Sequence, residues 1–172
     1  EVGAFCRSRG IVFGLDAIQA AGAIPVDVAA LGADFLSADG HKWMLGPEGC
    51  GLLFVAQHRQ DEVEPVEFGW TTVAGWTDYA SRDMALRRDA GRYECGTLNT
   101  IGCFGLKASL DLILEAGVEP IAAHVQRLGD LLADGARERG YELLCERTPS
   151  TGAGIVSIRK PGVDARLTWA KL

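Results

Sequence analysis

The chain has 172 residues, 48% hydrophobic and 23% charged, which excludes a disordered tail or a collagen-like repeat and leaves room for one ordinary domain or two small ones. A net charge of −6 argues against a nucleic-acid binder, because no basic field exists to gather phosphates. The most basic stretch, Arg82–Arg92, is interrupted by Asp83 and Asp89 and reads as solvated surface.

The cysteines, Cys6, Cys50, Cys95, Cys103 and Cys145, are odd in number, scattered and without a C-x-x-C pair. Neither a disulfide framework nor a metal site is expected, and a reducing cytoplasm fits best. The most apolar region, 11–38, is broken by Asp16, Gln19, Asp27 and Asp34, too polar to cross a bilayer, and no signal peptide is recognisable. With no initiator Met and an opening that reads as helix, the chain is expected to be a piece of a longer protein. Every functional expectation below refers to that parent.

In chain order, residues 1–9 read as an amphipathic helix closed by Gly10 in a left-handed cap. Ile11–Leu15 is a short apolar run without polar alternation, which predicts a strand covered on both faces, as in parallel sheets. Asp16 stands at its carboxyl end. One or two helical turns are predicted over 26–31, and buried strands over 34–38 and 51–55. Between these strands, residues 39–50 are polar, basic and rich in Gly and Pro. Residues 57–97 show little periodicity and read as a long functional excursion. Asn99 or Thr100 is predicted to cap a helix reaching about Ala116, with Leu106, Leu110, Ile113 and Leu114 on one face. Gly117 ends it. A second helix is predicted from about Glu119 to Arg139, closed by Gly140, then strands over 141–145 and 154–158. The pattern is part of one α/β domain, residues 1–116 with the linking helix, followed by the start of a second over 117–172.

In open parallel sheets, ligands sit outside the carboxyl ends of the strands. Asp16 and Gln19 lie at one such end, and His41 and Lys42 in the loop after another. A strand-end Asp is more often a turn former and a Lys more often a solvated charge. The convergence of acid, amide, imidazole and amine points to a cofactor pocket.

These residues carry a resemblance. Asp16-Ala17-Ile18-Gln19-Ala20-Ala21-Gly22, Pro25-Val26-Asp27-Val28, Gly32-Ala33-Asp34-Phe35-Leu36, Gly40-His41-Lys42-Trp43 and Gly46-Pro47-Glu48-Gly49 closely resemble the class V aminotransferase superfamily. That superfamily includes cysteine desulfurases, selenocysteine lyases, isopenicillin-N epimerase-like proteins and kynureninases. The stretch 94–102 looks like its phosphate-contacting segment. The resemblance implies a fold-type-I α/β enzyme using pyridoxal 5'-phosphate, of which this chain holds the C-terminal half of the large domain and the start of the small one.

Lys42 then corresponds to the amine that forms a Schiff base with the cofactor aldehyde, and burial among strand ends would keep it neutral often enough to react. Asp16 resembles the carboxylate that pairs with the ring nitrogen, making the ring an electron sink. Gln19 resembles the residue that orients the ring hydroxyl, and His41 a phosphate ligand. Thr97, with the backbone of Gly96, resembles the phosphate contact supplied by the neighbouring subunit, which implies a homodimer. One position departs from the pattern. Where many desulfurases carry Ser or Thr three residues before the lysine, this chain has Asp39, whose carboxylate a phosphate would repel. It is expected to point away and is left out of the phosphate set.

The cysteines, together with His58 and His124, take the bland reading, packing or solvated surface. The resemblance places the catalytic Cys and the substrate-gripping Arg outside these residues. The activity implied is that of a transferase or lyase on an amino acid, most like a cysteine desulfurase or selenocysteine lyase. An epimerase-like or aminotransferase activity is the alternative. A non-catalytic dimerisation domain keeping the fold is the other, against which the retention of Lys42, Asp16 and Gln19 argues.

Overall fold

The computed structural model describes residues 1–170; the end of the expected 117–172 segment, residues 171 and 172, lies outside the described residues. The chain forms two compact units, one of Glu1–Gly22 with Val26–Ile113, the other of Ala23–Pro25 with Leu114–Leu172. Each is described by itself.

In the first unit, helix α1 (Val2–Ser8) ends at Arg9, followed by Gly10 at φ +65°, the left-handed position that glycine occupies without steric cost. Strand β1 (Gly14–Asp16) is shorter than the predicted run, with Ile11 and Val12 about half exposed before it. Helix α2 (Val28–Leu31) starts where the Asp27 carboxylate accepts hydrogen bonds from the backbone N–H groups of Ala29 and Ala30, and closes on Gly32 at φ +67°.

Strand β2 (Phe35–Asp39) runs parallel to β1, with Asp16 beside Ser37. Strand β3 (Gly51–Val55) is antiparallel to β2, with Asp39 opposite Gly51. The sheet expected to be parallel is therefore mixed. The β1–β2 connection carries α2 and can cross over, whereas residues 40–50 contain no helix to return the chain to the starting end, so β3 runs back along β2. Strand β2 alternates, with Leu36 and Ala38 buried and Phe35, Ser37 and Asp39 exposed. Within this chain it is covered on one face, not two. The covered face meets Ala17, Met44 and Leu106 in a single apolar cluster.

Residues 57–97 form two short 3-10 turns, Gln57–Arg59 and Ala90–Tyr93, and one isolated bridge between Val73 and Leu86. Arg92, expected on a solvated surface, is buried. Its Nε donates to the Arg87 carbonyl at 2.7 Å and its Nη1 to the Gln60 carbonyl at 2.6 Å, while the Tyr93 hydroxyl donates to Val63 O at 2.9 Å. Chain without a ladder leaves its carbonyls unpaired, and a guanidinium brings enough donors to satisfy several at once.

Helix α3 (Thr100–Ala116) buries Leu106 and Ile113, but Leu114, predicted on the same face, is 70% exposed. In the second unit, helix α4 (Val118–Glu138) follows Gly117 at φ +83° and gives way to Gly140 at φ +75°. Strands β4 (Glu142–Leu143) and β5 (Ile158–Arg159) pair antiparallel. Both are shorter than predicted and the second lies later, because Thr148 and Thr151 turn the intervening chain through their hydroxyls. Arg147, nearly buried, holds that turn to α4 through Asp130 and the Gln126 carbonyl. A short helix α5 (Ala165–Trp169) follows.

Candidate functional site

The site is built over the apolar cluster by alternation along the chain. Asp16, the last residue of β1, is exposed, and Ala17, next to it, is 1% exposed. The Ala17 N–H donates to Ser37 O at 2.8 Å, extending the strand pairing, and the Ala17 carbonyl accepts from Ala20 and Ala21. The Ile18 N–H donates to Asp16 Oδ1 at 3.0 Å. These bonds wind residues 17–22 into a turn that presents Gln19 on its exposed side.

The turn ends against the lysine loop. Gly22 has φ +90°, and a Cβ there would lie 2.4 Å from the Trp43 carbonyl oxygen and 2.7 Å from its carbon. No side chain fits between them. This contact joins the Asp16–Gln19 turn to the residue directly after Lys42.

The loop 40–50 is closed at its base by Gly40 N–H donating to Cys50 O and Gly46 N–H donating to Gly40 O, both at 2.8 Å. A Cβ on Gly46 would sit 2.7 Å from Leu106 Cδ1. Met44, 2% exposed, anchors the loop in the core, and Leu45 takes φ +57°, a conformation that costs a branched residue energy and recurs at functional sites. Between base and anchor, His41 and Lys42 are exposed. The burial expected for Lys42 is thus not supplied by this chain. Asp39, expected to point away, has Oδ2 3.8 Å from His41 Nδ1.

Gly96 and Thr97 lie in the extended chain before α3, Gly96 beside the Trp70 indole and Thr97 exposed. The residue that ties this segment to the lysine loop is Asn99, expected only as a cap. Its Oδ1 accepts from Gly102 N–H at 2.9 Å, capping α3, and its Nδ2 donates to Gly49 O at 3.2 Å. Only the cap was visible as a pattern; the second bond spans fifty positions. The structure therefore packs the turn that carries Asp16 and Gln19 against the loop that carries His41 and Lys42 through Gly22 and Trp43, and ties the segment before α3 to that loop through Asn99. A cleft of about 620 Å³ on the exposed face of the sheet is lined by Asp16, Ser37, Asp39, Tyr93 and Glu94, among others.

At the opposite end of β2 lies a polar cluster that sequence reasoning missed. Asp34 accepts from Arg59 Nε and from Phe13 N–H, each at 2.8 Å, with His58 Nε2 3.4 Å away. The Arg59 hydrogen bond, then the Phe13 amide, hold its carboxyl below the usual carboxylate range against the opposing effect of burial. His58, expected to be simply solvated, is exposed but leans on this carboxylate. A lone Asp before an apolar run is its only trace in the sequence.

The family model for aminotransferase class-V matches residues 1–172. A probable cysteine desulfurase of Methanothermobacter thermautotrophicus is 34% identical over 165 residues, 95% of this chain and 40% of its own length. Isopenicillin N epimerase of Streptomyces clavuligerus is 34% identical over 168 residues, 92% of this chain and 42% of its own length. The apo structure of a cysteine desulfurase from Thermococcus onnurineus NA1 matches with a TM-score of 0.86 at 30% identity, over 98% of this chain and 42% of that one. A structure with glycine covalently linked to its PLP cofactor matches with a TM-score of 0.79 at 25% identity, over 90% of this chain and 40% of that one. The chain spans about 40% of the length of the curated relatives it matches. With the family model covering every residue and solved structures repeating its α/β arrangement, the chain belongs to the class-V aminotransferase family, of fold type I.

Proposed function

We propose that the parent protein is a pyridoxal-phosphate-dependent enzyme acting on an amino acid, with Lys42 as its catalytic amine. The residue types fit the cofactor. Asp16 Oδ1 is engaged by Ile18 N–H, and the carboxylate's second oxygen remains for a cationic ring N–H. Gln19 offers an amide to the ring hydroxyl, and His41, beside the Asp39 carboxylate, offers a ring N–H to the phosphate. When bound, the cofactor supplies an electron sink for charge developing at the substrate Cα. Asp16 would hold the ring nitrogen's proton, Lys42 would hold the aldehyde end of the cofactor, and the Lys42 Nζ would move the substrate Cα proton. The single observation that carries this reading is the contact of Gly22 with the Trp43 carbonyl, which packs the acid-bearing turn on the amine-bearing loop.

The proposed reaction is that of the cysteine desulfurase and selenocysteine lyase branch. The equal identity to isopenicillin N epimerase favours epimerisation as the second reading, and Asp39 in place of the usual hydroxyl residue agrees with it. Gly96 and Thr97 are proposed to complete the phosphate site of a second copy in a homodimer, and the scattered cysteines support a reducing, cytoplasmic setting.

The test is borohydride reduction of the full-length protein followed by peptide mapping. Label on Lys42 and a visible absorbance lost in Lys42→Ala are expected; an unlabelled Lys42 refutes the assignment. Sulfide release from L-cysteine, set against racemisation of Cα, separates the two reactions.

A further inference from the structure

Two cysteines far apart in the chain meet at the base of the lysine loop. Cys50 Sγ and Cys103 Sγ are 3.9 Å apart, the first at the end of the loop and the second in the first turn of α3. Cys50 is half-buried and Cys103 exposed. Closing the pair to a disulfide requires the sulfurs to approach to about 2.05 Å. The backbone on the Cys50 side is held, with the Cys50 carbonyl accepting from Gly40 N–H and Gly51 paired with Asp39, so closure falls to rotation of the two side chains. The helix side is fixed by the Asn99 cap. The structure thus holds the two thiols in non-bonded contact at 3.9 Å from two anchored segments.

We propose that Cys50 and Cys103 are a redox-responsive dithiol that closes to an intramolecular disulfide when the protein meets a hydroperoxide. Cys103, the exposed thiol, reacts first: its thiolate attacks the peroxide oxygen, the O–O bond breaks, and a sulfenic acid forms as the alcohol leaves. The Cys50 thiolate then attacks that sulfur, the S–S bond forms and water departs. Two thiols are oxidised, one peroxide is reduced, and the products are one disulfide, one alcohol and one water.

The pair differs chemically in a way that suits this order. Burial, then the hydrogen bond to Cys103 and the nearby charges of Cys103 and Asp39, push the Cys50 thiol above the usual cysteine range. Cys50 is therefore the slower, resolving thiol, and closure accelerates as pH rises and its thiolate fraction grows. The bridge would act on the lysine loop directly. The Cys50 carbonyl accepts the Gly40 N–H at 2.8 Å, and Gly40 precedes His41 and Lys42, so the disulfide would staple the base of that loop to α3.

The experiment treats the reduced full-length protein with hydrogen peroxide, blocks remaining thiols, and digests with trypsin without reduction. Cys50 falls in the peptide 43–59 and Cys103 in the peptide 93–107, which also contains Cys95. The expected result is a linked 43–59/93–107 pair that fragment spectra place on Cys103, that persists in Cys95→Ser, is lost in Cys103→Ser, and disappears after a thiol reductant. A bridge located on Cys95 overturns the proposal. So does single oxidation of Cys50 and Cys103 without a linked pair. Because the readout is a covalent bond in the wild-type protein, it stands whether or not Lys42 carries a cofactor.

Discussion

Gly22→Ala isolates the contact on which the candidate site depends. Its backbone sits at φ +90°, so any L-residue there takes a conformational cost of about 1–2 kcal/mol. The added Cβ would also lie 2.4 Å from the Trp43 carbonyl oxygen, 2.7 Å from its carbon and 2.9 Å from Met44 N. All three are backbone atoms, which cannot swing aside, and overpacking of this kind adds about 1–3 kcal/mol. The sum is about 2–5 kcal/mol. Gly10→Ala is the control: Gly10 has φ +65° and nothing within 4 Å of its Cβ position, so only the conformational cost of about 1–2 kcal/mol applies. Melting of the two full-length variants should therefore show the larger shift for Gly22→Ala, by the overpacking cost of about 1–3 kcal/mol. The clash relaxes by moving the Asp16 turn and the Lys42 loop apart. Each 1.4 kcal/mol of that strain is tenfold in affinity for a ligand gripped by both, so cofactor retention followed by visible absorbance during dialysis should fall about 10-fold or more in Gly22→Ala and stay unchanged in Gly10→Ala. Equal melting shifts and equal retention in the two variants would refute the reasoning.

Asn99→Ala removes the α3 cap and the bond to Gly49 O; a loss of about 1–2 kcal/mol and faster hydrogen exchange in residues 46–50 are expected. Arg92→Ala leaves the Gln60 and Arg87 carbonyls without their donor, costing about 2 kcal/mol or more, and limited proteolysis should then cut within 57–97 at protease levels the wild type survives. Asp34 has a depressed folded-state pKa, so its stabilisation is complete above its unfolded value and is lost as pH falls through the folded one. Melting temperature measured between pH 6 and pH 2.5 should drop less steeply below about pH 4 in Asp34→Asn, which should also be less stable than the wild type at neutral pH.

How far the sequence could be read follows from the range of each interaction. Caps and turn glycines act within a few residues, and Gly10, Gly117 and Gly140 were legible for that reason, whereas Asp27 and Gly32, the caps of α2, do not stand out as such, and the predicted start of that helix lies two residues early. Asp16, Gln19, His41 and Lys42 stood out because polar side chains at the ends of apolar runs are a local contrast. Strand partnership is not local. The apolar run 51–55 reads the same in either direction, and only the helix-free connection before it made β3 antiparallel. The exposed half of the run 11–15 looked like strand because periodicity records what a segment could bury, not what stands opposite it.

The amino-acid order alone placed the long helices and the strands to within a few residues, and it singled out Asp16, Gln19, His41 and Lys42 by their type and position. Tertiary packing alone decided that Gly22 rests on the Trp43 carbonyl, that Asn99 reaches Gly49, that Asp39 turns to His41, and that Cys50 meets Cys103. Each of the longer contacts joins segments whose separation leaves no periodic trace. Their closeness follows from Ala17, Leu36, Ala38, Met44 and Leu106 sharing one apolar cluster, since burying those side chains together brings the polar neighbours of each to the same surface.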